Sequence, residues 1–148
     1  MKNIISTSLI AILFIFSILF SQEKIANDAK VRDGILIHIS SGPENAHKVV
    51  MALKMATIMA MDKDVLVYLD IKGIEVVLKD ANDITHPTFP SAQESIKLLL
   101  EKGINIYACP SCLKAAGKSG ADLMTGIQVA NKDRFFDFTK GRILTLDY

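Results

Sequence analysis

The amino-acid sequence predicts an α/β protein in three layers, with a mainly parallel sheet and helices on both faces. Runs of β-branched and aliphatic residues, at 35–40 and 65–70, alternate along the chain with stretches of helical periodicity. Both runs are apolar almost throughout, which is typical of parallel strands that are covered on both faces. This alternation favours βαβ units joined by right-handed crossovers in a doubly wound sheet.

The first helix is predicted directly after the strand at 35–40. Turn residues Ser41, Gly42 and Pro43 end that strand, and Asn45 is placed to cap the helix. One apolar stripe at helical spacing is expected to pack on the sheet: Ala46, Val49, Val50, Leu53, Thr57 and Ala60. A second stripe on the opposite side predicts a contact with another element or another subunit: Met51, Met55, Ile58 and Met59.

The rest of the chain continues the alternation. Ser91 and Glu94 form a capping-box pattern at the start of a helix that Gly103 ends. A further helix is predicted to begin within the CPSC motif at 109–112 and to end at Gly117. The remaining expectations are short helices at 73–78 and 121–124, a loop at 85–90, and strands at 104–108, 127–130 and 142–147.

Residues 1–22 are predicted to be a secretory signal peptide. Lys2 supplies the positive start, and the apolar run at 9–20 has the length of a signal's hydrophobic region. An uncleaved membrane anchor is the alternative, because the apolar stretch approaches the shortest spanning length of about 17 residues. The polar residues 23–33 are predicted to form a flexible tether to a domain at 34–148. The protein is therefore expected in the periplasm, or anchored to the inner membrane if the leader stays uncleaved.

The composition excludes several classes of function. The 148 residues include 17 Lys and Arg against 16 Asp and Glu, which gives a formal net charge of +1. Non-specific binding to phosphates needs a large basic field, so nucleic acid is not an expected partner. Two cysteines and three histidines are too few for a disulfide scaffold or a common four-ligand zinc site. We expect no metal and no other cofactor.

The strongest chemical signal is Cys109, which follows a predicted strand and precedes a predicted helix with Pro110 in its first turn. Ligand sites in open α/β sheets form beyond the carboxyl ends of the strands. A thiolate at a helix start faces unpaired N–H groups and the positive end of the helix dipole, which lowers its pKa. The alternative is that Cys109 is a small hydrophobic residue in the core.

Cys112 lies three residues after Cys109 and can resolve an oxidised or persulfidated Cys109 into a disulfide, or it can simply pack on the helix. A CxxC at a helix start is also typical of thioredoxin-like proteins, but those need a proline in a later loop, and Pro110 is the last proline here. A zinc site built from one CxxC and three histidines is a weaker alternative, because the ligand spacing is irregular.

Other residues are candidates for supporting roles. The loop at 41–45, and within it Ser41, Gly42, Glu44 and Asn45, is a candidate for anion binding, although such a loop more often just starts a helix. Asp70 ends a strand and is a candidate for orienting a ligand, and His86 lies in an accessible loop. His38 lies within a strand and is interpreted as a core histidine.

Together these segments resemble the DsrE/DsrF-like family, which includes the sulfur-relay proteins DsrE and TusD. The resemblance covers about 34–148, and its most specific parts are SGPEN at 41–45 and YACPSC at 107–112. It implies a five-stranded, mainly parallel sheet and an oligomer, a dimer, trimer or hexamer. It also implies that Cys109 carries sulfur as a persulfide between partner proteins, with Cys112 marking a CPxC subgroup.

Two classes of function follow from the sequence. In the first, the protein is an exported sulfur carrier or thiol-redox protein that acts through Cys109, with Cys112 as a resolving thiol and with a sulfur-donor or acceptor protein as partner. In the second, it is a non-catalytic oligomeric module in which the cysteines form a structural disulfide and the loop at 41–45 binds a small anion or metal. Whether the protein is an enzyme is left open by the sequence.

Overall fold

A computed structural model describes residues 31–148, of which Arg32–Tyr148 form one compact unit. The predicted signal at 1–22 and most of the predicted tether lie outside the described residues. Within the described part of the chain, no helix is long and apolar enough to cross a membrane.

Five parallel strands form one sheet, as the family resemblance implied. The strands are β1 (Gly34–Ile39), β2 (Asp64–Leu69), β3 (Asn105–Ala108), β4 (Gln128–Val129) and β5 (Ile143–Asp147). Their order across the sheet is β4-β3-β2-β1-β5. Each strand lies within a residue or two of its predicted position. The apolar runs of β1, β2 and β3 set where the chain becomes buried, whereas β4 and β5 are mostly exposed edge strands.

Three α-helices connect these strands: α1 (Ala46–Met59), α2 (Ala92–Glu101) and α3 (Pro110–Ala115). The two predicted short helices are 3-10 turns, at Gly73–Val77 and Gly120–Asp122. The capping box of α2 is confirmed, since the Ser91 hydroxyl accepts from the Glu94 N–H and the Glu94 carboxylate accepts from the Ser91 N–H. Asn45 holds the N-cap position of α1 but makes no side-chain hydrogen bond there, because a 3-10 turn leads directly into the helix.

The helices pack on one face of the sheet, which we call the helical face. Val49 and Leu53 of α1, Leu99 of α2 and Leu113 of α3 are fully or almost fully buried in one core with the odd-numbered residues of β1, such as Ile37. The chain moves from β1 to β4 in a single direction across the sheet, so each right-handed crossover returns over the same face.

The opposite face, which we call the open face, carries a turn-rich segment where the prediction placed a second layer of helices. The chain must return from β4 at one edge to β5 at the other, and residues 130–142 make that return without an α-helix. Phe135 packs edge-on against Tyr68 and lies beside Tyr107. The five-stranded parallel α/β sheet is as predicted, but among residues 31–148 the segment on this face is rich in turns and forms no α-helix, whereas the prediction placed helices on both faces.

Candidate functional site

Both cysteines lie at the carboxyl edge of the sheet. Cys109 follows β3 directly, and its N–H extends the sheet ladder by donating to the Leu69 carbonyl at 2.9 Å. It occupies the N-cap position of α3, where its sulfur accepts a hydrogen bond from the Cys112 N–H at 3.4 Å. Both thiols are free and half-buried. The predicted position of Cys109 between strand and helix is therefore confirmed.

The turn after β2 holds the second sulfur. The Ile71 N–H donates to the Cys112 sulfur at 3.2 Å, which joins this turn to α3. Ile71 has a φ of +46°, a left-handed conformation that is unusual for a β-branched residue. Gly73 lets the turn lie against β1, because a Cβ there would sit 2.1 Å from the Ile39 carbonyl oxygen. The close packing of this turn fixes the donor that Cys112 receives.

Hydrogen bonds favour the thiolate of Cys109. Burial works to raise the pKa of this thiol, but the Tyr68 hydroxyl and the Cys112 N–H donate to the sulfur and outweigh it. The Cys112 thiol and the Ser111 N–H act in the same direction, so the pKa of Cys109 lies below its ordinary value. A thiol with a lowered pKa presents more thiolate at neutral pH, which is the form that attacks sulfur.

Cys112 behaves in the opposite way. Burial raises the pKa of its thiol, and the Cys109 sulfur raises it further, against a lowering effect of the Ile71 N–H. Burial and the Cys109 sulfur also raise the pKa of Tyr68, so its hydroxyl keeps the proton that it donates. When the pair loses one proton, the negative charge is therefore favoured on Cys109 and the remaining proton on Cys112.

The strand register places a line of polar and aromatic residues across the open face, close to the cysteines. We call it the polar row, and it consists of Asp147, His38, Tyr68, Tyr107 and Gln128, one from each strand. Side chains two residues apart on a strand share a face. Asp70 and Cys109 follow Tyr68 and Tyr107 by two residues, so they extend the same face at the edge of the sheet.

His38 lies between two carboxylates. Its Nδ1 is 2.7 Å from Asp147 Oδ1, and its Nε2 is 3.0 Å from Asp70 Oδ1. The second contact is an ion pair without hydrogen-bond geometry, and neither of its two buried atoms has a hydrogen-bond partner among residues 31–148. The sequence suggested that His38 is a core histidine. In the structure it lies outside the core under the helices and is a partly exposed residue of the polar row.

The loop at 41–45 packs against the turn that holds Cys112, since a Cβ on Gly42 would lie 2.7 Å from the Lys72 carbonyl oxygen. The Gly42 N–H donates to the Glu44 carboxylate at 2.9 Å. This hydrogen bond is the main cause of a lowered pKa at Glu44, which is therefore ionised. The carboxylate occupies a donor that an anion would need, so the geometry disfavours anion binding by Ser41, Gly42, Glu44 and Asn45.

His86 packs elsewhere. Its ring stacks on His47 at the start of α1, with centroids 4.3 Å apart, and Phe89 contacts both rings. Its Nδ1 lies 3.0 Å from the Pro87 carbonyl oxygen. These contacts do not involve the thiols, so the structure gives His86 no place beside them. Among residues 31–148, no group of three or more His, Cys, Asp or Glu side chains is arranged to hold a metal ion.

Cys112 borders a shallow depression of about 410 Å³. Its walls come from the turn after β2 and from α3, and include Ile71, Lys72, Glu75 and Ala115. Ile71 is 64% exposed at its rim. A partner that approaches Cys112 through this depression therefore meets the exposed Ile71 side chain, the Lys72 cation and the Glu75 carboxylate.

The sequence analysis missed Tyr68 and the position of His38 beside it. Alternation within the strands could have indicated that Tyr68 shares a face with Asp70 and that Tyr107 shares a face with Cys109, because residues two apart on a strand point to the same side. Only the register of neighbouring strands shows that His38 stands beside Tyr68, because register is set by long-range packing.

Comparison with known proteins gives the family and the fold to which this chain is similar. Two uncharacterized archaeal proteins are each 27% identical to the chain. The match to the protein from Methanocaldococcus jannaschii spans 108 residues, which is 72% of this chain but only 39% of that protein. The match to the protein from Methanopyrus kandleri spans 109 residues, which is 73% of this chain and 88% of that protein. The fold is similar to the YchN protein of E. coli, with a TM-score of 0.53 and 13% identity over 78% of this chain and 99% of that one. It is also similar to a protein of unknown function from Methanobacterium thermoautotrophicum, with a TM-score of 0.51 and 15% identity over the same shares. A model of the DsrE/DsrF-like family matches residues 33–143, and the chain therefore belongs to that family.

Proposed function

We propose that this protein is a sulfur carrier that accepts sulfane sulfur as a persulfide on Cys109. Membership of the DsrE/DsrF-like family supports a sulfur-relay or thiol-redox role in general. The single observation that carries the finer proposal is the Cys109 sulfur at the N-cap of α3, where the Tyr68 hydroxyl and the Cys112 N–H stabilise its anion.

The transfer balances as a thiol exchange. The Cys109 thiolate attacks the outer sulfur of a donor persulfide, R–S–SH, and the sulfur–sulfur bond breaks. The donor leaves as a thiolate and Cys109 keeps the outer sulfur as a persulfide. An acceptor thiolate then removes that sulfur by the same reaction in reverse.

Cys112 offers a second exit. Its thiolate attacks the inner sulfur of the Cys109 persulfide, releases hydrosulfide, and leaves a Cys109–Cys112 disulfide. A thiol reductant then restores both cysteines. The raised pKa of Cys112 lowers its thiolate fraction at neutral pH, which works against this branch and favours passing the sulfur on to an acceptor.

Mass spectrometry tests the proposal directly. The reduced protein is incubated with inorganic polysulfide, and a mass increase of one sulfur atom is expected, mapped by fragmentation to Cys109. Cys109→Ser should abolish the adduct. Cys112→Ser is the matched control, and it should keep the adduct and prolong its lifetime.

Two results would contradict the carrier function: no adduct on the reduced wild-type protein, or an adduct that persists in Cys109→Ser. In either case the thiol pair would have another use, with the structural disulfide as the first alternative. The proximity of the two cysteines supports that alternative. Trapping cell extracts with an alkylating reagent tests it, because free thiols on both cysteines would exclude a standing disulfide.

We also propose that the protein works outside the cytoplasm, in the periplasm. This rests on the signal-like residues 1–22, with an uncleaved inner-membrane anchor as the alternative. Cell fractionation with N-terminal sequencing separates the two, and recovery of the full chain in the cytoplasm would exclude both.

An oligomeric state is part of the proposal. The second stripe of α1 is only partly covered in the single chain, with Ile58 45% exposed beside Leu98 of α2 at 40%. Burial of such a patch between copies removes apolar surface from water. Ile58→Lys should therefore weaken assembly, and an unchanged sedimentation profile would show that this stripe is not the contact.

A further inference from the structure

In the polar row, the His38 imidazole lies between two carboxylates, and the proposed persulfide transfer gives this group of charges no role. His38, on β1, has an Asp carboxylate oxygen within 3.0 Å of each ring nitrogen. Asp147 comes from β5 on one side, and Asp70 follows β2 on the other. The ring also stacks on Tyr68, with centroids 5.6 Å apart. Three elements therefore converge on one imidazole.

Only the doubly protonated ring suits both neighbours. A neutral imidazole has one nitrogen that carries a lone pair, and that lone pair would face a carboxylate oxygen. The buried atoms His38 Nε2 and Asp70 Oδ1 have no other partner among residues 31–148, so leaving them unpaired would be costly. The two carboxylates accordingly raise the pKa of His38, although burial opposes them.

We infer that His38 is a positioning residue for the thiol pair, since its imidazolium holds the Asp70 carboxylate and offsets the negative charge that Asp70 presents to the Cys112 sulfur and the Tyr68 hydroxyl, the two groups that interact with Cys109. The inference rests on the proposed function, because it assigns a role at the same sulfur-transfer site. Asp70 is the residue before Ile71, whose N–H donates to the Cys112 sulfur. The negative charge of Asp70 raises the pKa of both Cys112 and Tyr68.

The charges near the thiols can be counted for each variant. Asp70 and Asp147 supply two negative charges and His38 one positive charge, so the wild-type cluster carries one net negative charge. The net charge of the cluster becomes −2 in His38→Gln and zero in Asp70→Asn. In the double variant it returns to −1, the wild-type value. If the cluster acts through charge, the pKa of Cys109 should be highest in His38→Gln, lowest in Asp70→Asn, and close to the wild-type value in the double variant.

The test is the pH profile of Cys109 alkylation by iodoacetamide, mapped by fragmentation. At neutral pH, His38→Gln should react about threefold to tenfold more slowly than wild type, the change expected when a pKa rises by about half to one unit. The rates should converge at high pH, where Cys109 is ionised in every variant. His47→Gln is the matched control, because its ring stacks on His86, and it should leave the profile unchanged.

An unchanged profile in His38→Gln, or a double variant as slow as His38→Gln, would overturn the inference. If His38→Gln does not fold, Asp70→Asn alone decides, since it must speed alkylation at neutral pH. Alkylation needs no sulfur donor, so the two proposals fail separately. Absence of a polysulfide adduct on wild type counts against the carrier function, whereas an unshifted alkylation profile counts against His38.

Discussion

The two faces of the sheet are built from the same five strands but differ in kind. On the helical face, the side chains of β1, β2 and β3 are aliphatic and fully or nearly fully buried under three helices. On the open face, the same strands present the polar row, and a turn-rich segment with Phe135 covers part of it. The helical face contains most of the buried apolar core, and the open face carries Tyr68, which lowers the pKa of Cys109, and the His38 side chain for which a role is proposed above.

This difference teaches where substitutions should act. A parallel strand places alternate residues on opposite faces, so residues adjacent in sequence lie in different environments. Loss of a side chain under the helices should change stability and spare the thiol chemistry. Loss of a hydroxyl or charge in the polar row should change the reactivity of the thiols and alter stability only slightly.

The largest effect is expected under the helices. Ile37 is fully buried there, and Ile37→Ala should lower the free energy of unfolding by about 3 kcal/mol, through lost apolar burial and a cavity. Leu36→Ala, one residue earlier on the half-buried open face, is the matched control and should cost about 1 kcal/mol. Urea unfolding measures both, and equal losses would contradict the contrast between the faces.

A smaller effect is expected from the hydroxyl of Tyr68. Tyr68→Phe removes a donor to the Cys109 sulfur, so the pKa of Cys109 should rise and its alkylation at neutral pH should slow by about threefold to tenfold. Tyr107→Phe, the next residue of the polar row, is the control and should keep the wild-type rate. Equal slowing in the two variants would mean that the row acts on Cys109 as a whole, and not through one hydroxyl.

The smallest effect is the dependence of stability on pH. The folded state raises the pKa of His38, so its stabilising contribution is complete below the pKa of histidine in the unfolded chain, about 6.5. It is lost as the pH rises through the higher folded-state pKa. The difference in unfolding free energy between wild type and His38→Gln should therefore shrink over that window. Because Asp147 is 69% exposed, solvent limits the effect, and a difference that stays constant with pH would contradict it.

Much of the fold could be predicted from the sequence. The apolar runs of β1 and β2, the capping box at Ser91 and the helix start at Cys109 are local signals, and the structure confirms each of them. The covering of the second face could not be predicted, since it depends on which edge of the sheet receives β5. Strand order is decided by packing between distant segments and leaves no local pattern.

The candidate site divides in the same way. Cys109 and Cys112 could be found because their chemistry and spacing are written in one short motif. The residues that surround them come from two strands: Tyr68 and Asp70 lie on β2 and at its end, His38 lies on β1, and His38 meets the other two only through strand register. Asp70 was singled out for its position at a strand end, whereas His86 was singled out for accessibility and packs on α1 instead.

Cys109 is both the proposed sulfur acceptor and the N-cap residue of α3, so a sulfur atom added to its side chain would alter a hydrogen bond at the start of that helix. A thiolate accepts the Cys112 N–H as an anion, but the inner sulfur of a persulfide is neutral and accepts more weakly. Loading should therefore loosen the first turn of a helix that is only six residues long. The rate of hydrogen exchange at the Cys112 amide would then report whether Cys109 carries a persulfide, without any label on the sulfur.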